Sequence, residues 1–242
     1  PIRETGGPPY PLVMAESLEF TKVPLPPREV GCYSMVACGN NSALVMGSPD
    51  KGAYCIKVQV AEDAQTGVSV TWEDEDWTPT HTRDGHSEPD MCLRYPGCAR
   101  VGAGVYVFGG YSPTRGNDQS EHTVYVHSLT SGTWRKADCS EDNYEWQDDW
   151  PRGKERPYVF GLGHILVIGG GIFEPVGPDT VVWGLDTRKC RWSTEKGLAI
   201  PGVWSTLPDS PIRIDRSTGC VIGDTAHILA EDQHLTFSLE SG

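Results

Sequence analysis

The stretch VGAGVYVFGGYSPTRGNDQSEHTVYVHSLTSGTW, from Val101 to Trp134, decides the fold of this protein. A turn at residues 102–104 separates two β-prone runs, and the pair Gly109-Gly110 ends the second of them. A polar loop leads to a third run at residues 123–127, and a further tight turn is followed by Trp134. Short apolar runs separated by glycine-containing turns predict consecutive antiparallel strands, so this stretch is expected to form a four-stranded meander.

The same order of features returns further along the chain. A run at residues 164–168 is followed by Gly169-Gly170-Gly171, and another run at residues 180–185 precedes Trp192. The tryptophan follows the first glycine by 25 residues in the first copy and by 23 in the second. Two copies with nearly equal spacing indicate a repeat, in which Trp192 corresponds to Trp134.

Two weaker copies flank these. Upstream, a hairpin at residues 33–46 is followed by Gly47, and Trp72 follows that glycine by 25 residues. Downstream, three β-prone runs occupy residues 219–222, 226–230 and 235–239, without a fourth. The sequence therefore predicts about four related sheets.

A single meander of this kind cannot bury both of its faces. Stacking such sheets around an axis buries them, which is the architecture of a β-propeller. We therefore predict an all-β fold, a small β-propeller of about four four-stranded blades, as a single domain over residues 1–242. The predicted blades are residues 28–76, 93–138 and 156–196, with a partial blade at residues 212–242.

The pattern resembles the kelch repeat. The residues that carry this resemblance are Gly109-Gly110, Tyr125, Trp134, Gly169-Gly170 and Trp192, so two copies match well and two are degenerate. The resemblance implies a propeller whose function is carried by its loops. A kelch blade is usually about 50 residues long, and the excess here lies in the connections 73–90, 140–155 and 194–211.

The missing last strand has a candidate at the start of the chain. The segment LVMAESLEFTKV, from Leu12 to Val23, is β-compatible and precedes the first copy. Propellers often close by letting one terminus complete the blade of the other, which removes a free sheet edge. We expect residues 1–23 to close the last blade by pairing beside Leu235–Leu239.

Composition limits the possible partners. The net charge of −13 argues against binding to nucleic-acid backbones, which needs a dense cationic surface. No apolar run approaches the roughly 18 residues that a membrane helix needs. The eight cysteines form no CxxC pair, and several lie in strand-like runs. These features favour reduced thiols and a cytoplasmic or nuclear location, with no membrane contact.

Arginines recur shortly before the first strand of each predicted blade. If the blades are related by rotation, these arginines project toward one mouth of the channel, with two tyrosines between them. A guanidinium group binds carboxylate or phosphate through two parallel hydrogen bonds, so the mouth would bind anions. Pairing of each arginine with an acidic loop residue is the alternative. The predicted residues are Arg94, Tyr95, Arg156, Tyr158, Arg216 and Arg28.

Long connections supply a second group of candidates. Trp146 and Trp150 lie in an acidic connection, and Trp204 lies in the next one. Exposed aromatic rings in a loop suggest recognition of a partner or of a sugar, whereas buried rings would only pack against the sheets. The segment 81–90 holds two histidines and three acids, but it lacks a known metal-ligand spacing, so we expect no metal.

The sequence favours recognition over catalysis. It has no GxSxG, papain-like or Walker motif, and no cofactor is expected. The leading interpretation is a noncatalytic kelch-like module that binds a protein partner, with an acidic segment of that partner at the propeller mouth. One alternative is an enzyme or ligand-binding protein that holds a small anionic molecule at the same mouth. Another is a lectin-like sugar binder.

Overall fold

The computed structural model describes twelve separate parts of the chain. These parts are residues 33–47, 54–61, 69–74, 93–111, 124–132, 134–137, 151, 153–173, 177–190, 204–215, 217–230 and 233–239. All regular secondary structure in them is β, which confirms the predicted class. No helix within these parts is long and apolar enough to cross a bilayer.

The first sheet is an antiparallel meander. Its strands are β1 (Tyr33–Gly39), β2 (Ser42–Gly47), β3 (Tyr54–Ala61) and β4 (Ser69–Asp74). Asn40 and Asn41 join β1 to β2, with φ angles of 50° and 53°. Asparagine tolerates this left-handed conformation better than most residues, which suits it to a tight hairpin turn.

The second sheet has the strand order that the opening stretch predicts. Its strands are β5 (Gly97–Val101), β6 (Gly104–Phe108), β7 (Val124–Ser128) and β8 (Trp134–Ala137), each antiparallel to the one before. Val105, Val107 and Phe108 are fully buried, as expected for a strand that is covered on both faces.

The third sheet takes its outer strand from an unexpected place. Its strands are β9 (Tyr158–Leu162), β10 (Ile165–Gly169), β13 (Val182–Asp186) and β14 (Trp204–Leu207). A small hairpin, β11 (Ile172–Phe173) and β12 (Gly177–Pro178), lies between β10 and β13 in the chain. The repeat spacing predicts an outer strand that begins at Trp192, in a blade ending at residue 196. The predicted start at Trp192 is wrong, because the strand paired with β13 begins at Trp204.

The fourth sheet has three strands among the described residues. They are β15 (Thr218–Ile222), β16 (Thr225–Ala230) and β17 (Gln233–Ser238), close to the three predicted runs. The segment that is predicted to close this sheet, residues 1–23, lies outside the described residues.

The sheets stack face to face in chain order, with an apolar core in each gap. Leu44 and Met46 of the first sheet pack with Val105 and Val107 of the second. Phe108 lies in the next core, together with residues of the third sheet. The third and fourth sheets enclose a further core. The first strands of successive sheets are neighbours, and a Cβ atom on Gly161 in β9 would collide with the carbonyl oxygen of Arg100 in β5.

Strand register shows that the sheets are true repeats. Trp72 pairs with Val58, Trp134 with His127, and Trp204 with Leu185, each between the third and fourth strands of its sheet. Three sheets thus carry a tryptophan at the same register position.

The glycine pair that follows the second strand also recurs at equivalent positions in the second and third sheets. In the third sheet it is Gly170-Gly171, one residue later than the predicted pair Gly169-Gly170. Gly109 and Gly110 have φ angles of 72° and 89°, and Gly170 and Gly171 have φ angles of 58° and 76°. The bridge partners that follow them, Tyr111 and Ile172, occupy equivalent places. Gly170-Gly171 is therefore the counterpart of Gly109-Gly110, because only these residues share the positive φ that ends the second strand.

Candidate functional site

The second and third sheets are each entered through a short segment with an unusual backbone. Tyr95 and Arg156 have φ angles of 54° and 55°, and each is followed by a proline and then by the first strand. Bulky residues rarely adopt positive φ, and such strained positions cluster at functional sites because surrounding structure must hold them. We call the surface formed by residues 93–96 and 154–157 the entry face.

Backbone pairing defines which entry residues are equivalent. Arg94 exchanges two hydrogen bonds with Tyr111, both with N···O distances of 2.9 Å. Glu155 does the same with Ile172, at 2.9 and 2.8 Å. Arg94 is therefore the counterpart of Glu155. The predicted equivalence of Arg94 with Arg156 is off by one residue, and the counterpart of Arg156 is Tyr95.

These two counterparts touch each other across the boundary between the sheets. The Arg156 amide donates a hydrogen bond to the carbonyl oxygen of Tyr95 at 3.1 Å. The guanidinium carbon of Arg156 lies 4.4 Å from the centroid of the Tyr95 ring, so the cation stacks on the ring face. Both residues are half-buried. Among the described residues, no carboxylate forms an ion pair with Arg156.

The same contact pattern continues toward the fourth sheet. Gly110 donates its amide to the carbonyl of Lys154 at 2.8 Å, and Gly171 donates to Ile214 at 2.6 Å. Lys154 and Ile214 are therefore equivalent. Arg216 follows Ile214 by two residues, as Arg156 follows Lys154, so its place in the sequence matches that of Arg156. Arg216 itself lies outside the described residues, as do Arg28, Trp146 and Trp150.

Tyr158 begins β9 and lies in the core beneath the entry face. Its ring is buried and stacks on Phe160, with centroids 5.6 Å apart and an interplanar angle of 24°. Burial, and secondarily the nearby Asp179 carboxylate, raise the pKa of the Tyr158 hydroxyl above its usual value. This hydroxyl therefore stays protonated at neutral pH.

Trp204 packs against the sheets. It lies in β14, partly buried against the core between the second and third sheets, with its ring centroid 6.5 Å from that of Phe108. Its indole Nε1 is buried and has no hydrogen-bond partner among the described groups. This placement matches the packing alternative for Trp204, since the ring faces the core.

Sequence reasoning missed one charged pair that includes a residue of the entry face. The Lys154 side chain is 1% exposed, and its Nζ atom lies 2.6 Å from Oδ1 of Asp179. The equivalent residues of the neighbouring sheets, Leu93 and Ile214, are buried and apolar. A lysine in an apolar column is the signal that could have revealed the pair, but the column is visible only once the strand register is known.

Other reactive groups are suppressed by burial. Burial raises the pKa of the Cys98 thiol to about 12, so it is not a thiolate at neutral pH. Burial, and secondarily the Lys57 charge, lower the pKa of His127, which favours its neutral form. No group of three metal-binding side chains occurs within the part of the chain that the structure describes.

Comparison with known proteins supports the fold alone. No protein-family model matches the chain, and no curated protein does. Among solved structures, YjhT is similar to it, with a TM-score of 0.59 and 14% sequence identity over 86% of this chain. The chain spans 60% of YjhT. YjhT has a kelch-type β-propeller fold, and the antiparallel sheets described above fit a β-propeller.

Proposed function

We propose that this protein is a noncatalytic recognition module that binds an acidic segment of a protein partner at the entry face. The observation that carries this proposal is the stacked pair of Arg156 and Tyr95, which occupies equivalent positions of two neighbouring sheets. A guanidinium held flat on an aromatic ring keeps its N–H edge available for a carboxylate, and stacking reduces the entropy lost on binding.

The net negative charge of the whole molecule restricts binding of an acidic segment to places with a local cation, such as the Arg156 guanidinium. With a net charge of −13, the surface as a whole repels acidic chains. An acidic segment therefore gains most where a cation has no ion-pair partner of its own, and Arg156 meets that condition among the described residues. Binding should weaken at high salt, because the attraction is electrostatic and partly exposed.

A labelled peptide of eight glutamates tests the proposal, with a peptide of eight serines as the reference. Fluorescence anisotropy should show binding of the glutamate peptide, and Arg156→Ala should weaken it about tenfold, as loss of a charge-assisted hydrogen bond predicts. Tyr95→Ala should weaken it less, because the guanidinium remains but is no longer held.

Arg188→Ala is the matched control. Arg188 follows β13 at the end of the third sheet that lies away from Arg156. Its guanidinium donates a hydrogen bond to Asp186 at 3.0 Å, and its removal changes the net charge by as much as removal of Arg156 does. An Arg156→Ala protein that binds as well as the wild type, or an equal loss in Arg188→Ala, would contradict the proposal.

We also propose that the four sheets are blades of a small kelch-like propeller, and that the N-terminal segment completes the last blade. The fourth sheet has three described strands where the other three sheets have four, and β17 lies at its edge. An open edge favours pairing with a further strand, and Leu12–Val23 is β-compatible. Removal of residues 1–23 should lower the melting temperature or cause aggregation, and an unchanged melting temperature would refute the closure.

The proposed location is the cytoplasm or the nucleus. Its support is the cysteine usage, since free thiols such as the buried one of Cys55 and the half-buried one of Cys98 suit a reducing compartment. A tagged full-length protein found mainly in the secretory pathway would contradict this proposal.

A further inference from the structure

Lys154 occupies a position that does not need a charge for folding. The hydrogen bonds from Gly110 and Gly171 make Lys154 equivalent to Ile214, and the pairing of the entry segments makes Leu93 the third member of this column. Leu93 and Ile214 are 1% and 2% exposed, so the column is a buried apolar slot. Burying an ammonium group there is unfavourable unless a partner compensates for the lost hydration.

The compensating partner is itself partly exposed. Nζ of Lys154 donates to Oδ1 of Asp179 at 2.6 Å, and the Asp179 side chain is 35% exposed. Within the described part of the chain, Oδ2 of Asp179 accepts no hydrogen bond. The buried lysine therefore fixes a carboxylate that keeps one acceptor oxygen and access to solvent.

The hairpin that precedes Asp179 is attached to the same entry segment as Arg156. Strand β11 is bonded to Glu155 through the exchanged backbone hydrogen bonds of Ile172, and Asp179 directly follows β12. Three consecutive residues thus do different work. Lys154 binds Asp179, Glu155 is hydrogen-bonded to the hairpin, and Arg156 stacks on Tyr95.

Building on the proposed function, we propose that Asp179 is a second recognition group, and that the partner segment carries a lysine or arginine close to its acidic residue. Arg156 binds the acid and Asp179 binds the cation. Lys154 is a positioning residue, because it contacts Asp179 and is too deeply buried to reach a ligand. A mixed-charge segment is also favoured by the charge of −13, since its own cation reduces the general repulsion.

Two labelled peptides of eight residues test this inference, one of glutamate alone and one that alternates glutamate and lysine. The wild-type protein should bind the alternating peptide about tenfold more tightly than the glutamate peptide, as one added charge-assisted contact predicts. Asp179→Asn should remove most of this preference, leaving only the part that comes from the general charge, and should not weaken binding of the glutamate peptide.

Lys154→Met tests the positioning role. The variant should melt close to the wild-type temperature, because methionine suits the apolar slot and the Asp179 carboxylate that loses its partner is 35% exposed, so that water can hydrate it. It should nevertheless lose most of the preference for the alternating peptide, since Asp179 is no longer held. If Lys154 had only a structural role, a Lys154→Met protein with an unchanged melting temperature would keep the wild-type ratio of the affinities for the two peptides.

Two further variants complete the test. The double variant Lys154→Met/Asp179→Asn removes the pair without leaving a buried amine unpaired, and it should behave as Lys154→Met does. Asp186→Asn, at the far end of the sheet, is the control and should leave the ratio of the two affinities unchanged.

The outcomes separate the two proposals. Equal wild-type affinity for both peptides would overturn the role of Asp179 while the acidic-segment proposal stands. Binding of neither peptide would overturn both. A Lys154→Met protein that keeps the wild-type ratio would overturn the positioning role of Lys154.

Discussion

At the scale of single residues, the second and third sheets each pair a glycine with an aromatic residue, in reversed positions. In the second sheet, Gly97 on the first strand faces Phe108 on the second. In the third sheet, Tyr158 on the first strand faces Gly169 on the second. The reasons for the two glycines differ. A Cβ atom on Gly169 would collide with the Tyr158 ring of its own sheet, whereas a Cβ atom on Gly97 would collide with Val159 and Pro157 of the third sheet.

Substitution of Gly169 tests this arrangement. A Cβ atom at Gly169 would collide with the Tyr158 ring, which stacks on Phe160 inside the core and has little room to move. Gly169→Ala should therefore lower the free energy of unfolding by about 1–3 kcal/mol in chemical denaturation.

A double-mutant cycle gives the control. In a Tyr158→Val background the alanine meets no ring, so the same substitution should be less destabilising there. Strictly additive effects of the two substitutions would show that the collision is not the cause.

At the scale of strands, register governs which residues correspond between sheets, and regular spacing misleads. The connection from β7 to β8 covers residues 129–133, whereas the connection from β13 to β14 covers residues 187–203. The regular spacing in the sequence therefore predicts Trp192 as the counterpart of Trp134. Because the connection is longer in the third sheet, the true counterpart is Trp204. Length changes of this kind are tolerated because the entropy of closing a loop grows slowly with its length.

Alanine substitutions distinguish the two tryptophans. Trp204→Ala should lower the free energy of unfolding by about 3 kcal/mol, because the ring packs against Phe108 in the core. Trp204→Phe should lose less than half as much, since the indole Nε1 makes no hydrogen bond with a described group. Thermal or urea unfolding measures both, and Trp192→Ala is the matched control. A larger loss in Trp192→Ala than in Trp204→Ala would contradict the structural register.

At the scale of the whole molecule, burial depends on whether a following sheet covers a given face. Val101, Leu162 and Ile222 end the first strands of the second, third and fourth sheets. Their exposed fractions are 7%, 3% and 64%. The same side-chain type at the same repeat position is therefore core in two sheets and surface in the last, because no described sheet follows the fourth.

A serine substitution at each of two equivalent positions tests this dependence. Leu162→Ser should lower the free energy of unfolding by about 2–4 kcal/mol, because it removes buried apolar contacts and introduces a hydroxyl. Ile222→Ser should change it by less than about 0.5 kcal/mol, as is usual for surface positions. Equal destabilisation by both would mean that the face of Ile222 is covered in solution.

Part of the candidate site is recognisable in the amino-acid sequence. Arg156 and Tyr95 stand out because each lies just ahead of a strand in a repeated pattern. Their mutual equivalence is marked by the prolines that follow them, Pro96 and Pro157. An alignment on the arginines misses that signal, because Arg94 also precedes a strand. Lys154 escapes notice because a lysine among many charged loop residues looks ordinary until its apolar counterparts are aligned.

The sequence alone determined that this chain forms repeated antiparallel meanders with glycine-ended second strands. Those features follow from local rules, namely alternation of apolar runs and turns and the need for positive φ at the glycines. Only the tertiary structure decided which tryptophan anchors the third sheet, that Arg156 stacks on Tyr95, and that Lys154 is buried against Asp179. These facts depend on contacts between residues of different strands and sheets, and the packing of one sheet on the next is what fixes them.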